Sequence, residues 1–482
     1  MKTSQFIDAV KLFYQYADNY LKDGENFRFV GGCVRDYIIK APEINDIDIV
    51  ATDAKNLYNA IVDAARKDDK YVVEYMFCLY SNTYLIKIYD YNNTFRYDYE
   101  ISNVKGSTWE EDAQKRDFTI NALYIKLVND EIIISDPLHY GLYDLKNNIL
   151  RVCNGIQTFI DDPIRLFRLI RFVGKEFNLD NDILTFLELF LNPVDANIAN
   201  VPTLNTLCSF CYPEAIKYEI DKAFKSDNIK DAISFAIKFH LFDYLTSSFG
   251  KMEILHQKNA YHNETLLVHT IDVMQYVHNN MNKNNIYFIP TMWAALLHDI
   301  GKVNTLTTDE DGTTHFYGHE IESEKIFQQI KYIGFSEFEA SCISFMILHH
   351  METKCYVDNV FSIKRRKSIR RMMFQSQSKE LFDALMILCD ADISAMHNKD
   401  NVEDIEWIRN LHNMINCIEK EEPCFYNIKL PISRDEIQNA VNCKDVMVDK
   451  YIEYLNKLTI GNPTQTDSID KCVKLIQGAK IY

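Results

Sequence analysis

The stretch FRFVGGCVRDYIIKAPEINDIDIV, residues 27–50, indicates the fold of the first part of the chain. A short strand leads through Gly31-Gly32 into a helical segment, so that backbone N–H groups at the helix start could face a phosphate. A second strand follows at DIDIV, and its period of two puts the carboxylates of Asp46 and Asp48 on one face. Such a pair can share two Mg²⁺ ions for phosphoryl transfer, although a paired aspartate alone is more typical of an exposed strand edge.

Two later segments of the same region add candidate site residues. The strand RYDYE places Asp98 and Glu100 on one face, and we expect Glu100 to be the third acid that faces the aspartate pair. The segment KRDFTINA, residues 115–122, brings two cations, an acid and an amide into a stretch otherwise suited to burial. Taken alone, that segment also fits the start of a capped helix.

The chain has 482 residues and a formal net charge of −17, from 52 Lys+Arg and 69 Asp+Glu. That length predicts about three domains, and 47% hydrophobic with 13% aromatic residues excludes a largely disordered chain. The acidic balance argues against a protein that coats nucleic acid by bulk positive charge, but it allows local basic strips. The sequence contains no signal-peptide core, no membrane span and only scattered cysteines, so we expect a cytoplasmic protein.

The alternation of strands and turns over residues 27–150 gives way to an almost wholly helical pattern from Asp161 onward. The sequence therefore predicts an α+β fold, with a mixed-sheet head followed by all-α parts. We expect four domains: a head at 1–149, a helical neck at 150–235, a third domain at 236–410 and a helical tail at 411–482.

The segment DDPIRLFRLIRF, residues 161–172, fits a helix start with Asp162 as the N-cap and Pro163 in the first turn. Asp162 and Arg165 can present an acceptor and a donor side by side. Cytosine and adenine each place an amino donor beside an unprotonated ring nitrogen, whereas uracil and guanine place a carbonyl beside a ring N–H, so this pair would select the first two bases. The segment carries a basic residue at every third position, namely Arg165, Arg168 and Arg171. Such a stripe is equally consistent with an ordinary solvated helix face.

A histidine series follows in the second half of the chain. Imidazole and carboxylate ligands together suit Zn²⁺, Ni²⁺, Mn²⁺ or Fe²⁺ better than Ca²⁺. We expect one ion on His269, His298, Asp299 and Asp392. Ligands for a second ion would come from His319, His349 and His350, with Asp299 bridging the two. A two-ion site could act on a phosphate ester, with Lys302 as a phosphate contact, or the metal could only stabilise the fold.

A basic run, KRRKSIRR at residues 364–371, places six cations in eight positions. It fits a solvated surface and a contact to an RNA backbone equally well.

Five motifs, in order GGCVRD, DIDIV, KRDFTINA, DPLHYGLYDL and DDPIRLFRLIRF, resemble the class II tRNA nucleotidyltransferases, which are the CCA-adding enzymes and their bacterial poly(A) polymerase relatives. The resemblance covers about residues 27–225 and implies a polymerase-beta-like nucleotidyltransferase head. It implies that Asp46 and Asp48 bind the catalytic Mg²⁺ ions, with Glu100 as the third acid, and that Asp162 and Arg165 act as a protein template. The remaining triphosphate, ribose and base contacts implied are Gly31, Gly32, Arg35, Arg116, Asp117, Asn121, Arg168 and Arg171.

The histidine series resembles the HD metal-dependent phosphohydrolase domain that a subset of bacterial tRNA nucleotidyltransferases carries, over about residues 250–395. Together the resemblances imply template-independent addition of CCA to tRNA from CTP and ATP with Mg²⁺, and an HD phosphohydrolase activity with a divalent transition metal. The alternatives are a CC-adding, A-adding or poly(A)-adding enzyme, or a chain that acts primarily as an HD hydrolase. Only sixteen residues separate Glu100 from Asp117. In this interval many CCA-adding relatives carry a longer mobile loop, which is tied to the switch from adding C to adding A.

Overall fold

The computed structural model of the protein forms two compact units, Met1–Tyr212 and Pro213–Tyr482. Each unit has its own secondary structure and core, and each is described separately below. The structure describes residues 1–22, 26–68, 70–78, 83–90, 96–191, 203–257, 264–353, 363–396, 402–422, 424–443 and 445–479.

The first unit is built on one seven-stranded sheet. Its strands are β1 Phe27–Val30, β2 Ile47–Ala51, β3 Tyr71–Cys78, β4 Thr83–Asp90, β5 Arg96–Asn103, β6 Tyr124–Val128 and β7 Glu131–Ser135. Their order across the sheet is β3-β4-β5-β2-β1-β6-β7. The strands β2 and β5 run parallel, while the other neighbouring pairs are antiparallel. The expected mixed sheet of an α+β head is confirmed.

Helices cover this sheet and continue beyond it. They are α1 Thr3–Tyr16, α2 Asp18–Lys22, α3 Gly32–Ile38, α4 Ala54–Ala65, α5 Trp109–Gln114, α6 Gly141–Lys146, α7 Gln157–Asp161, α8 Ile164–Val173, α9 Asn181–Leu191 and α10 Leu204–Cys208. A short parallel pair, β8 Ile149–Leu150 and β9 Asn178–Leu179, lies in the helical part. The aromatic core on one face of the sheet includes Phe6 and Phe13 of α1, which pack on Phe29 of β1.

The second unit is almost entirely helical. Its helices are α11 Pro213–Phe224, α12 Ile229–Lys238, α13 Ser248–Met252, α14 Leu266–Asn280, α15 Phe288–Leu297, α16 Lys302–Thr305, α17 His319–Ile330, α18 Glu337–His349, α19 Ile363–Ser376, α20 Lys379–Ser394, α21 Val402–Glu421, α22 Arg434–Val441, α23 Asp445–Gly461 and α24 Ile469–Gly478. The helix α15 is buried in all but one of its positions. The residues that follow it are therefore delivered into the interior of the unit.

The helical pattern predicted after residue 150 is confirmed, and the strands within it are two residues long: β9, β10 Thr307–Thr308 and β11 Thr314–His315. One sequence prediction needs correction. Asp162 does not cap α8: the N-cap position is Pro163, and no side chain caps it. The four domain boundaries stay a prediction. No helix within the described residues is long and apolar enough to cross a lipid bilayer.

Two candidate active sites

The first candidate site lies on a row of residues that crosses the sheet of the first unit. Asp48 of β2 is the direct neighbour of Glu100 on the parallel strand β5 and of Val30 on β1. Val30 in turn is paired with Tyr124 of β6. Asp98 shares the face of Glu100 and pairs with Arg96 at 2.6 Å, whereas the register of β2 and β5 makes Glu100 the acid that adjoins Asp48.

Two acids of this row, Asp48 and Glu100, influence each other electrostatically. Burial raises the pKa of Asp48 to about 7, with the neighbouring carboxylate of Glu100 next in effect and Arg116 acting in the opposite direction. Asp46 is exposed and precedes the first residue of β2. The three carboxylates do not form a set of ligand atoms within 4.8 Å in the described part of the chain. A half-buried acid beside a second acid nevertheless suits a hard divalent cation such as Mg²⁺, which takes oxygen ligands.

Gly31 fits tightly against this row. Its φ of +82° lies in the left-handed region, and a Cβ atom at this position would lie 2.7 Å from Oδ2 of Asp48. Gly32 is less constrained, since its Cβ would meet only the Arg35 guanidinium, at 3.6 Å. Gly31, more than Gly32, therefore allows the backbone to approach Asp48, the candidate metal ligand, closely.

A continuous chain of hydrogen bonds links four of the expected nucleotide-binding residues. Arg35 Nη1 donates to Asn121 Oδ1 at 2.7 Å, and Asn121 Nδ2 donates to Asp117 Oδ1 at 3.1 Å. The other carboxylate oxygen of Asp117 accepts from Arg168 Nη1 at 2.9 Å. Burial raises the pKa of Asp117, but Arg168 and hydrogen bonds to the carboxylate outweigh it and bring the pKa down to about 2. The structure thus joins residues from three separate sequence motifs.

The expected template pair is in contact but unevenly exposed. Arg165 Nε lies 3.4 Å from Asp162 Oδ2, with the Arg165 side chain 8% exposed and that of Asp162 42% exposed. The Arg165 guanidinium also donates to the backbone carbonyls of Thr158 at 3.0 Å and Lys115 at 2.9 Å. The predicted stripe is therefore not a solvated face, and Arg171 instead stacks over the ring of Phe172.

Sequence reasoning missed Asp112, which is fully buried and binds the predicted site residue Arg116 at 3.0 Å. Tyr124, which the sequence analysis also left unassigned, contacts both side chains. The four-residue spacing of Asp112 and Arg116 was a usable signal, because such pairs meet on a helix.

The second candidate site is a buried cluster of the second unit. Ligand atoms of His269, His298, Asp299 and Asp392 lie within 4.8 Å of one another, and so do those of a second group, Asp299, His319 and His350. Asp299 belongs to both groups. Its Oδ2 lies 3.3 Å from the Nε2 atoms of His269 and His298, while Oδ1 lies 3.0 Å from His319 Nε2. One carboxylate thus faces two sets of imidazoles, as a bridging ligand would.

The outer nitrogens of three of these imidazoles are fixed by the backbone. Nδ1 of His298, His319 and His350 lies 2.9, 2.8 and 2.7 Å from the carbonyl oxygen three residues earlier. Because a carbonyl oxygen can only accept, Nδ1 carries the proton and the lone pair is on Nε2, the atom that faces the cluster. This is the support that metal-binding histidines usually have, so the residues present fit a divalent metal ion.

Two pKa shifts in the cluster favour metal binding, whereas burial lowers the pKa of His269 but Asp299 and Asp392 outweigh it and raise that pKa in the absence of an ion. Burial raises the pKa of Asp299, but His298 and Lys302 outweigh it and hold that pKa well below its usual range. Burial lowers the pKa of His350 to about 4, so this imidazole is neutral and able to bind a metal ion. Lys302 is buried, with Nζ 2.7 Å from Asp299 Oδ2 and 2.7 Å from Gln257 Oε1.

His349 is the one expected ligand that the structure does not bring to the cluster. Its Nδ1 lies 2.8 Å from Glu352 Oε1, and its ring packs on Phe345. His349 and His350 are consecutive residues at the end of a helix, where adjacent side chains point about 100° apart, so one of them faces away. The prediction that both bind the second ion is wrong for His349.

The basic run is largely paired within the second unit. Arg365 is 2% exposed, and Arg370 donates to both carboxylate oxygens of Glu422, at 2.5 and 2.7 Å. Arg366 also binds Glu422, and Arg371 binds Glu352. The side chain of Lys364 lies outside the described part of the chain. These contacts favour a structural role for the run over an RNA contact.

Comparisons with known proteins match both sites. Residues 27–151 match the family described as the poly A polymerase head domain, and residues 266–397 match the HD domain. The multifunctional CCA protein of Actinobacillus pleuropneumoniae is 30% identical over 226 residues, which are 45% of this chain and 49% of that protein. The CCA-adding enzyme of Limosilactobacillus reuteri is 30% identical over 216 residues, 43% of this chain and 48% of the enzyme. The chain thus spans about half the length of the curated relatives it matches.

Solved structures share the fold over nearly the whole chain. A CCA-adding enzyme of Bacillus stearothermophilus in complex with CTP has a TM-score of 0.59 at 14% identity, over 97% of this chain and 96% of that chain. A Thermotoga maritima CCA-adding enzyme complexed with tRNA_CCA has a TM-score of 0.52 at 15% identity, over 99% and 98%. At these identities the likeness establishes the fold. The chain thus carries a poly A polymerase head domain at residues 27–151 and an HD domain at residues 266–397, and it is similar to CCA-adding enzymes over a little under half of its length.

Proposed function

We propose that the chain is a template-independent nucleotidyltransferase that adds CCA to tRNA 3′ ends from CTP and ATP in the cytoplasm. The observation that carries the proposal is the pairing of Asp48 with Glu100 across β2 and β5, with Gly31 packed against the first carboxylate. The curated relatives are named for CCA addition, and the solved relatives include complexes with CTP and with tRNA_CCA.

The residues of the head would orient an in-line displacement. The RNA 3′-oxygen forms a bond to the α-phosphorus, the bond to the pyrophosphate oxygen breaks, and the hydroxyl proton passes to solvent. Asp46, Asp48 and Glu100 would hold Mg²⁺, which when bound supplies charge stabilisation for the nucleophile and the leaving pyrophosphate. Gly31, Gly32 and Arg35 would hold the triphosphate. The nucleotide and ribose pocket would be shaped by Arg116, Asp117 and Asn121.

Base choice would rest on Asp162 and Arg165. Asp162 exposes a carboxylate that can accept from the exocyclic amino group of cytosine or adenine, and Arg165 lies beside it. Because the Arg165 guanidinium is held by two backbone carbonyls, its position is fixed before a base arrives. Arg168 and Arg171, on the same helix, would complete the nucleotide pocket.

The test offers the protein tRNAs that end before CCA, after CC and after the complete CCA, in Mg²⁺ with each nucleotide alone and with CTP and ATP together. With both nucleotides we expect three additions to the first tRNA, one A on the second and none on the third, and with CTP alone only two additions to the first. Product lengths that stop after CC, or that grow into long A tails, would identify the CC-adding or poly(A)-adding alternative. Asp48→Ala should abolish nucleotide addition whichever of these activities the protein has. Near-normal addition by a folded Asp48→Ala protein would refute the proposed site.

A second function is supported by the buried cluster around Asp299. We infer that it holds divalent transition-metal ions and hydrolyses phosphate esters, since two sets of imidazole ligands meet at one carboxylate. The competing proposal is a metal site that only stabilises the unit. Asp392→Asn should reduce the metal content and the stability of the unit under both proposals. Only the hydrolase proposal requires that the metal-loaded wild type cleaves an ester such as a nucleoside 2′,3′-cyclic phosphate.

A further inference from the structure

The side chain of Arg116 forms hydrogen bonds to a buried carboxylate and to a phenol. Asp112 Oδ2 accepts from Arg116 Nε at 3.0 Å and from the Tyr124 hydroxyl at 2.7 Å. Arg116 Nε also donates to the Tyr124 oxygen at 3.2 Å, so the three polar groups form a closed triangle. Asp112 is completely buried, whereas 19% of the Arg116 side chain reaches the surface. One end of the guanidinium is therefore fixed inside the protein while the rest remains accessible.

The triangle lies on the same face of the sheet as the candidate catalytic row. Tyr124 is two strands from Asp48 in one cross-strand row, through Val30. Ala113, next to Asp112 on α5, packs with Val30 and Tyr124 in one apolar cluster. Arg116 is also close enough to Asp48 to lower the pKa of that carboxyl. The clamp on Arg116 is thus built next to the metal-binding candidate.

Asp112 has a second contact that connects the clamp to the catalytic strand. Its Oδ1 accepts from the backbone N–H of Lys105 at 2.8 Å. Lys105 follows shortly after β5, the strand that carries Glu100. A single buried carboxylate therefore fixes both the cation of the site and the end of the strand that supplies its third acid.

We propose that Asp112, with Tyr124, is a positioning residue that sets the guanidinium of Arg116 for the incoming nucleotide. The inference rests on the proposed nucleotidyltransferase function. Asp112 touches no substrate in this assignment and acts only through Arg116. A charged pair with a closed hydrogen-bond set is costly to break when buried, which keeps the guanidinium in one orientation in the absence of nucleotide.

The test measures the binding of CTP with Mg²⁺ and the KM and kcat of addition for Asp112→Asn, Arg116→Ala and the double variant. We expect Asp112→Asn to weaken CTP binding and raise KM roughly tenfold to a hundredfold, with kcat changed much less. In the Arg116→Ala background the same substitution should add less than about a twofold effect, because a residue that acts through Arg116 has nothing left to position.

Asp144 supplies a matched control. It is equally buried, its carboxylate binds Arg151 at 3.0 Å and Thr119 at 2.7 Å, and it does not contact Arg116. Asp144→Asn should lower thermal stability like Asp112→Asn but leave CTP affinity within about twofold. If Asp112→Asn does not fold, Tyr124→Phe removes only the shared phenol oxygen and should still weaken CTP binding several-fold.

The outcomes separate this inference from the function on which it rests. Unchanged CTP binding by a folded Asp112→Asn or Tyr124→Phe protein overturns the positioning role. An equal loss with and without Arg116 also overturns it, because it assigns the effect to the Lys105 contact. A wild-type protein that neither binds CTP nor extends tRNA overturns the nucleotidyltransferase proposal itself.

Discussion

At the scale of single residues, Asp48 couples metal binding to protons. Burial and the neighbouring Glu100 raise its pKa to about 7, so the carboxyl in the metal-free protein is mostly protonated below that pH. A Mg²⁺ ion must then displace the proton. We expect the apparent Mg²⁺ affinity of the head to fall about tenfold per pH unit below pH 7 and to level off above about pH 8. Titration calorimetry at several pH values checks this, with Asp48→Asn as the control; an affinity unchanged from pH 6 to pH 8 would contradict it.

The same pKa fixes the sign of a stability effect. The folded chain keeps the Asp48 proton at pH values where the unfolded carboxyl, with its ordinary value of 3.8, has lost it. The metal-free protein should therefore lose stability from this group as the pH rises from about 4 to 7, and Mg²⁺ should restore it above pH 7. Asp48→Asn should remove this part of the pH dependence in urea unfolding curves.

Gly31 offers a test of close packing at the same site. A methyl group there would lie 2.7 Å from Asp48 Oδ2 in a backbone with φ of +82°. Gly31→Ala should cost about 1–3 kcal/mol of stability and should greatly reduce nucleotide addition, since the Asp48 carboxylate must move. Gly155 is the control, because its φ is also positive, at +51°, but its Cβ would meet nothing within 4 Å. Gly155→Ala should show the backbone strain with normal addition, and equal loss in both variants would rule out the contact with Asp48.

At the scale of secondary-structure elements, the periodicity of strands and helices predicted which neighbouring side chains share a face. It did not predict contacts between residues that are distant in sequence. Strand alternation placed Asp98 and Glu100 on one face but could not choose between them, and it is the register of β2 and β5 that makes Glu100 the neighbour of Asp48. The sequence could not predict that Arg165 binds the carbonyl of Lys115, fifty residues away. It also treated His349 and His350 alike, although only one of two adjacent helical residues can face the buried cluster.

In helix α19, the contacts of the basic side chains explain why the helix carries them. Arg370 binds Glu422 through two hydrogen bonds, and its Nη1 donates to the carbonyl of Ile460 in α23. Arg370→Ala would leave the largely buried Glu422 carboxylate with fewer cations and should lower the free energy of unfolding by about 3–5 kcal/mol. Lys367→Ala, at an exposed position of the same helix, should change it by less than about 0.5 kcal/mol. Urea unfolding measures both, and equal small effects would restore the view of the run as free surface charge.

At the scale of the whole molecule, the net charge of −17 does not exclude a nucleic-acid partner, because charge is distributed by site. Acids gather where metal ions are expected, around Asp48 and Asp299. The expected nucleotide-binding cations lie in the first unit. In the basic run of the second unit, ion pairs with glutamates engage Arg366, Arg370 and Arg371. Recognition of RNA would therefore depend on local basic groups and shape, with weak non-specific binding.

The two candidate sites belong to separate compact units and differ in ligand chemistry, so their metal dependence should separate. The head presents only oxygen ligands, which suit Mg²⁺, whereas the cluster around Asp299 presents four imidazoles with two carboxylates, which suits a transition metal. We expect purified protein to retain transition metal, by elemental analysis, and Asp392→Asn to reduce that content. In a buffer with excess Mg²⁺, 1,10-phenanthroline should abolish phosphate ester hydrolysis while nucleotide addition continues. Asp48→Ala should have the opposite effect, losing addition by roughly a thousandfold while hydrolysis and metal content stay normal. Loss of both activities on treatment with phenanthroline, with the fold intact, would mean that the two sites depend on one another.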